Sequence, residues 1–262
     1  QVLTSTGSGV AFEDASGGAE SINDLTDAKT FGTSSIMLGD ATTGTIDAAN
    51  YNTGLGVDVF EDLTSGDNNS AFGFFALGNN TSGGNNTVVG AYAGSLNVDD
   101  AENTIVGYAA NYPDGGSRVT AVGSQALNSN TASDNTAVGS LALNATVGGA
   151  ENTAVGSRAG IAVTSGDGND FSGFRAGQTT TTASANTVIG SYSLDNGAAN
   201  TGGLNTVIGH AAGRVITSGT RNTILGYDSG VAVTTGANNV LIGGNGTGNN
   251  ITTGSANIAI GE

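Results

Sequence analysis

The chain contains no cysteine and no tryptophan, and its only proline is Pro113. Without cysteine there is neither a disulfide framework nor a thiolate metal site. The redox compartment of the protein cannot be inferred from cysteine usage either. A single proline beside 45 glycines, with no glycine at every third position, excludes collagen. For 262 residues this composition is a poor basis for a conventional globular core, and a repeat architecture fits it better.

Basic residues are also scarce: 6 Lys and Arg stand against 22 Asp and Glu, for a formal charge of −16. The six are scattered along the sequence and form no cluster, so we predict no nucleic-acid partner. No apolar run approaches the roughly 18 residues of a membrane span, which predicts no membrane insertion. Gln1 opens the chain without an initiator Met or a signal peptide, from which we expect a processed chain or a fragment.

A five-residue motif, Asn-Thr-Ala-Val-Gly at 152–156, recurs with conservative changes through most of the chain. Its closing glycine occurs thirteen times, and eight of the twelve intervals are 17 residues, the others being 16 to 19. A weaker copy at 35–39 begins the series. A fixed period of this size is the signature of a repeat protein. The motif glycines are Gly56, Gly73, Gly90, Gly107, Gly123, Gly139, Gly156, Gly173, Gly190, Gly209, Gly226, Gly243 and Gly261.

Each offset from the motif glycine has its own residue type, and we call equivalent positions of successive repeats a rank. The asparagine rank, four residues before the glycine, is Asn in twelve of thirteen repeats, with Val119 as the exception. The threonine rank follows and is mostly Thr or Ser. The first and the second apolar rank come next and lead into the glycine.

β-Branched motifs that end in glycine and are separated by Thr, Ser, Gly and Asn turns predict short strands and not helices. Strands at a fixed spacing stack as coils about 4.8 Å apart, so thirteen coils would span roughly 60 Å. We therefore predict an all-β chain: a parallel β-solenoid, or β-roll, of coils of about 17 residues, with about 13 to 14 coils over 35–262. Residues 1–34 lack the motif, and Ile22, Leu25 and Phe31 among their Gly and Ser predict a connector or cap that blocks the first open strand edge.

Two of the ranks are predicted to be structural. Stacked Asn side chains can hydrogen-bond to one another along a ladder, and glycine is needed where the chain turns or where another backbone comes close. The predicted ladder residues are Asn86, Asn103, Asn135, Asn152, Asn186, Asn205 and Asn222. The predicted turn glycines are Gly90, Gly107, Gly123, Gly139, Gly156, Gly190, Gly209, Gly226 and Gly243.

The two apolar ranks cannot both point into the interior of one chain. Adjacent strand residues point to opposite faces, so if Ala154 is inside, Val155 is outside, and a lone solenoid exposes an aliphatic stripe larger than monomers usually tolerate. A coil of about 17 residues is also thin, and we expect it to have little core of its own. We predict a homotrimer with a shared core, in which Phe171 and Ser172 repack locally. The core residues would be Val89, Val106, Val122, Val138, Val155, Ile189, Ile208, Leu225 and Ile242.

The motif, followed by Ala-Gly or Ala-Leu and then by a Thr-Ser-Gly or Thr-Thr-Gly turn, resembles the YadA-like head repeats of trimeric autotransporter adhesins. Repeats such as 135–143 and 222–235, and the longer period, resemble the arrays in tail-fibre proteins of marine phages. The resemblance covers about 35–262. It implies a trimeric β-roll, intertwined or packed side by side and left-handed as in the adhesin heads, that attaches to a surface.

On this resemblance we expect an attachment protein without enzymatic activity or cofactor, namely the shaft or receptor-binding region of a phage tail fibre in the virion. Its partners would be itself, other fibre or virion proteins, and a host surface receptor or glycan. A bacterial adhesin head, at the cell surface, is the alternative. Two further classes stay open: an ice-binding monomer, suggested by the threonine rank, and a glycan-degrading tailspike, which needs a carboxylate-lined cleft.

Few residues are of a type that catalysis or metal binding requires, and we predict no catalytic residues. His210, the only histidine, is expected to have a surface or packing role, and the acidic pairs at 61–62 and 99–100 are expected to be solvated turns. Asp167 and Asp170 faintly resemble one unit of a calcium-binding nonapeptide roll, with an ordinary turn as the alternative.

Aromatic residues gather just after the motif glycine. They could stack on the sugars of a host glycan, or they could complete the packing at a corner of the coil. The sequence identifies no other candidate for receptor binding. These aromatics are Phe74, Phe75, Tyr92, Tyr108, Phe174, Tyr192 and Tyr227.

Overall fold

The structure is a computed structural model that describes residues 2–5, 10–13, 28–31, 33–39, 48–112, 115–195 and 197–261. Every regular element in these ranges is a strand. Strands β1 (Val2–Ser5) and β2 (Val10–Glu13) pair antiparallel with each other. The remaining fifteen form one sheet. They are β3 (Ala28–Phe31), β4 (Ser35–Leu38), β5 (Thr53–Leu55), β6 (Ser70–Phe72), β7 (Thr87–Val89), β8 (Thr104–Val106), β9 (Thr120–Val122), β10 (Thr136–Val138), β11 (Thr153–Val155), β12 (Asp170–Ser172), β13 (Thr187–Ile189), β14 (Thr206–Ile208), β15 (Thr223–Leu225), β16 (Val240–Gly243) and β17 (Ile258–Gly261).

Strands β4 to β17 lie in sequence order, and each is parallel to the next. Register keeps each rank together, so that in β10 and β11 Ala137 lies opposite Ala154 and Val138 opposite Val155. Fourteen strands in this order delimit thirteen turns, which confirms the predicted parallel β-solenoid with coils of about 17 residues. At the usual strand spacing of about 4.8 Å the array is roughly 60 Å long.

The edge of the first coil is paired. β3 runs antiparallel along β4, with Ala28 opposite Leu38 and Lys29 opposite Met37. Much of the predicted connector or cap, namely residues 1, 6–9, 14–27 and 32 with Ile22 and Leu25 among them, lies outside the described residues. The role of this segment therefore stays a prediction.

Each coil has a core of its own, so the expectation that it would have little was wrong. The first apolar rank points inward in every strand from β6 to β16, and Val88, Ile105 and Leu241 are fully buried there. Apolar residues three, four and seven positions after the motif glycine, such as Ala159, complete one continuous row of buried side chains. Full burial of such a side chain contributes about 1.5 to 3 kcal/mol, which makes this row the main source of stability within the chain.

Phe171 lies in this internal row and not in an outer core, so the prediction that it repacks a core shared between chains was wrong. It is fully buried within its own coil. A Cβ on Gly177 would come within 2.1 Å of its ring, and one on Gly160 within 2.8 Å. In the coil of Gly54 the strand residue is the small one and a residue beyond the motif glycine is the large one: a Cβ at Gly54 would lie 2.9 Å from the ring of Phe60. Large and small residues thus trade volume inside the coil.

The motif glycines allow the coils to stack closely. Gly156 has φ of +139°, which L side chains rarely adopt, and a Cβ there would lie 2.4 Å from the carbonyl oxygen of Gly173 in the next coil. Only a residue without a Cβ fits both conditions. The nine predicted turn glycines all have φ between +129° and +155°.

Candidate functional site

The second apolar rank and the threonine rank share the outward face of the sheet. Side chains two residues apart on a strand point the same way, so Thr153 and Val155 both face out while Ala154 faces in. Val89, Val155, Ile189 and Leu225 are 39% to 44% exposed. The other five residues predicted to form the shared core, Val106, Val122, Val138, Ile208 and Ile242, are partly buried on the same face.

These outward side chains form one stripe, because the strands are in register. It begins with Leu38, Leu55 and Phe72 and ends with Ile260. Ser172 is the only polar member between them. The stripe therefore runs the full length of the array, roughly 60 Å, with the threonine rank beside it on a regular parallel sheet.

The asparagine rank forms a ladder behind the outward face. In a typical step, Oδ1 of Asn152 accepts hydrogen bonds from the main-chain N (3.0 Å) and Nδ2 (2.9 Å) of Asn169, whose Nδ2 also donates to the carbonyl of Ala183 at 2.9 Å. The side chains are buried, and their amide groups are paired between coils instead of with water. Main-chain N to Oδ1 bonds of this kind join the ladder residues Asn86 to Asn103, Asn135 to Asn152, Asn186 to Asn205 and Asn205 to Asn222.

The ladder is interrupted at Val119, and another asparagine compensates. The main-chain N of Val119 still donates to Oδ1 of Asn103 at 2.9 Å, but Nδ2 of Asn103 has no partner in the described structure. On the far side, Nδ2 of Asn135 donates to Oδ1 of Asn130 at 3.0 Å. Asn130 is seven residues after a motif glycine, so the regular columns of the repeat give no sign of this role.

The aromatic residues form two separate clusters at the corner after the motif glycine. In the first, the ring of Tyr92 lies 5.1 Å from Phe74, 6.1 Å from Phe75 and 6.3 Å from Tyr108, between centroids. Tyr112, which the sequence analysis did not single out, joins it at 6.4 Å. Most contacts are edge-to-face, the arrangement that ring quadrupoles favour.

The second cluster, which we call the aromatic row, consists of Phe174, Tyr192, His210 and Tyr227, one ring from each of four successive coils. Successive centroids are 5.3, 5.9 and 5.6 Å apart. His210 stacks on Tyr227 with an interplanar angle of 21°. The predicted surface or packing role of His210 thus takes the form of an exposed member of this row.

An ion pair adjoins the aromatic row. Nε of Arg175 lies 3.1 Å from Oδ2 of Asp195, and its guanidinium lies 5.3 Å from the ring centre of Tyr192. The pairing is loose: the Nε–H is not aligned for a hydrogen bond, and Nη2 is 3.5 Å from Oδ1. Burial raises the pKa of Asp195 above its ordinary value, and the nearby cations Arg175 and Arg214 offset this only in part.

Three of the six basic residues, Arg158, Arg175 and Arg214, lie in neighbouring coils along this part of the rod. Arg158 occupies the same rank as Arg175, one coil away, since the main-chain N of Arg175 donates to the carbonyl of Ser157. Arg214 is close enough to Asp195 to lower its pKa. Positions up to 56 residues apart in sequence, 158 and 214, are thereby brought to one edge within four coils.

The other candidate sites show ordinary turn contacts. Oδ1 of Asp167 accepts a hydrogen bond from the main-chain N of Ala150 at 2.8 Å, and Asp170 stands exposed in the threonine rank. Asp62 accepts from Asn79, and Asp100 from Ser117. Among the described residues no three His, Cys, Asp or Glu side chains come together as metal ligands would.

No helix in the described part of the chain is long and apolar enough to cross a membrane. Comparison of the chain with known protein families, with curated proteins and with solved structures found no match to any of them.

Proposed function

We propose that this chain is a structural attachment protein: a rod that associates as a homotrimer along its outward apolar stripe and serves as the shaft or receptor-binding region of a phage tail fibre. The observation that carries the proposal is the stripe itself. A nearly continuous apolar rank along the whole rod supports an interaction surface, because soluble monomers rarely leave so long an apolar feature uncovered.

The size of the stripe suits association between chains. A side chain that is about four tenths exposed gains roughly 0.6 to 1.2 kcal/mol when a partner covers it, and the less exposed members gain less, so the whole stripe contributes on the order of 5 to 10 kcal/mol. The entropy lost on association costs about 4 to 15 kcal/mol, so the stripe alone supplies a free energy of the required size. Three-fold symmetry places one stripe from each chain around a common axis, which is the arrangement that the resemblance to adhesin heads and tail fibres implies.

The remaining surface suits a rod that works outside its own assembly. Three chains carry 3 × −16 = −48 formal charges, which keeps neighbouring rods apart and soluble. Three identical faces also multiply weak contacts with a surface by avidity. Both features support adhesion to a host surface, with the binding residues on the outer corners of the coils.

Sedimentation of the purified chain tests the assembly. We expect the mass of a trimer; a soluble, stable monomer with its stripe open to water would overturn the proposal. Electron microscopy with an antibody to the chain tests the location, since labelling of virion fibres supports the phage role and labelling of a bacterial surface supports an adhesin head.

One observation favours a second candidate, an ice-binding solenoid. The threonine rank and the second apolar rank form a regular array on one face, about 4.8 Å by 7 Å per unit. The second rank is Val, Ile or Leu where an ice-binding face would be expected to carry a second rank of Thr. A monomer that inhibits ice recrystallisation would establish this candidate in place of the first.

A further inference from the structure

The two positions after the motif glycine differ from every rank that packs. The asparagine rank holds almost only Asn and the apolar ranks almost only apolar residues. The first position after the glycine instead holds Ser at 124, 140, 157 and 191 and an aromatic or His at 74, 108, 174, 210 and 227. Coils with Ser there keep the same positive φ at the motif glycine and the same hydrogen bonds between coils. The corner therefore closes without an aromatic ring, and the rings are free for another role.

The rings of the aromatic row are open to solvent. Phe174, Tyr192 and Tyr227 are 41%, 37% and 57% exposed, and His210 is exposed as well. One ring per coil gives a row about 15 Å long that is parallel to the rod axis. Exposed ring faces at regular intervals bind ligands that have flat apolar faces of their own, which both saccharides and nucleic-acid bases have.

The charge of the corner selects between these ligands. Arg158 and Arg214 are exposed, while Arg175 is paired loosely with Asp195. A guanidinium fork matches a carboxylate in a bidentate pair. A chain with a net charge of −16 opposes the dense phosphate charge of a nucleic acid, but two exposed arginines suit a ligand with one carboxylate per sugar.

The first aromatic cluster lacks this charge pattern. The arginine nearest to it in sequence, Arg118, is held by Asp134 through two hydrogen bonds of 2.7 and 2.9 Å. Tyr108 is 55% exposed, close to the value for Tyr227, so the two clusters differ in charge more than in ring exposure. The first cluster is therefore an internal control.

We propose that the aromatic row, together with Arg158 and Arg214, binds a carboxylated polysaccharide, with the sugar faces on the rings and the carboxylates on the guanidinium groups. This deepens the proposed attachment function, on which its biological use rests, by naming the receptor class as an acidic surface glycan. Because the site is complete within one chain, binding is measurable in solution.

Calorimetry on the purified, assembled protein tests the proposal. Each variant introduces a residue that another repeat already has at the same rank. Tyr227→Ser and Phe174→Ser copy Ser157 and Ser191, Tyr192→Ala copies Ala211, and Arg158→Gln copies Gln125, so the fold is retained. The probes are oligogalacturonate, oligomannuronate and hyaluronan fragments. We expect binding of at least one of them, reduced about tenfold by each substitution, and unchanged in Tyr108→Ser.

The same calorimetry experiment also measures ligands that lack the free carboxylate or belong to another class. The methyl ester of the bound saccharide should bind about tenfold more weakly than the free acid, and a neutral maltooligosaccharide should not bind. Binding of none of the three acidic probes, equal binding of acid and ester, or preferred binding of oligo-dT would each overturn the proposal. Adhesion to host cells is scored in parallel: adhesion without saccharide binding overturns this inference alone, and saccharide binding without adhesion supports the site but contradicts the proposed function.

Discussion

Oδ1 of Asn152 accepts two hydrogen bonds from Asn169 of the next coil, one from its main-chain N at 3.0 Å and one from Nδ2 at 2.9 Å. Repetition of this contact joins neighbouring coils at the residue that precedes each strand. A buried amide that bonds to both neighbours is worth more than an isolated one, since removing it leaves partners unpaired on either side.

We therefore expect Asn169→Ala to lower the free energy of unfolding by about 2 to 4 kcal/mol, because Asn152 Oδ1 and the Ala183 carbonyl each lose a donor in a buried site. Urea unfolding at a fixed protein concentration measures the change. Asn249→Ala, at an exposed position, is the control and should change stability by less than about 0.5 kcal/mol. Equal effects of the two substitutions would contradict a structural role for the ladder.

Gly156→Ala should be far more disruptive than Gly148→Ala. At Gly156 the new methyl group would meet the Gly173 carbonyl oxygen at 2.4 Å with φ at +139°, whereas nothing lies within 4 Å of a Cβ at Gly148. We expect a loss of about 3 kcal/mol or more for the first substitution and less than about 1 kcal/mol for the second. Thermal unfolding followed by circular dichroism makes the comparison, and a tolerant Gly156 would mean that the coils stack less closely than described.

Charges on the outward stripe should separate the chains without unfolding them. Val155→Asp combined with Ile189→Asp places carboxylates in the proposed shared core, where an unpaired charge is costly to bury. We expect sedimentation to show monomers with an unchanged far-ultraviolet spectrum. Val147→Asp, at a turn position that is 53% exposed, should leave the assembly intact. Dissociation by Val147→Asp, or persistence of the assembly in the double variant, would place the interface elsewhere.

Asp195→Asn should stabilise the chain at neutral pH. Burial raises the pKa of Asp195 in the folded chain, so its carboxylate form disfavours folding at every pH above that folded pKa. The penalty fades as pH falls through the folded pKa and is absent below the ordinary value of about 3.9. The variant should thus be more stable than the wild type at pH 7 and equal to it near pH 3.

Asp134→Asn should change the stability at pH 7 in the opposite direction. The guanidinium of Arg118 lowers the pKa of Asp134, so its carboxylate form favours folding above the ordinary pKa, and that contribution is lost as pH falls through the folded pKa. The substitution should therefore weaken the chain slightly at pH 7, where the pair is exposed and screened. Unfolding curves of both variants at the two pH values provide the test; changes of the same sign at pH 7 would contradict this account.

Much of the fold could be predicted because the information is local and repeated. The period of 17, the strands and their parallel stacking follow from residues that are neighbours in sequence. The opposite facing of Ala154 and Val155 follows from strand geometry alone. The candidate surfaces were less predictable: the outward stripe was expected, but the contacts of Arg175 with Tyr192 and Asp195 were not.

Two details show why. Phe171 was assigned to a core between chains because its order with Ser172 is unusual, yet it fits within its own coil because Gly160 and Gly177 leave space for its ring. Asn130 supplies the acceptor that is missing at Val119, from a rank that is apolar and buried at Val163 and Ile216. Both depend on which side chains the fold brings together within a coil and between coils, and that depends on the exact length of each turn.

The β-solenoid, its period, and the ranks that lie inside and outside all follow from the sequence alone, since alternation along a strand and a constant repeat length need no further input. Which side chains from different coils meet depends on how the coils stack in the folded chain. Stacking brings residues about 17 positions apart to within roughly 5 Å. Rings and charges that are distant in sequence thereby become the aromatic row and its arginines.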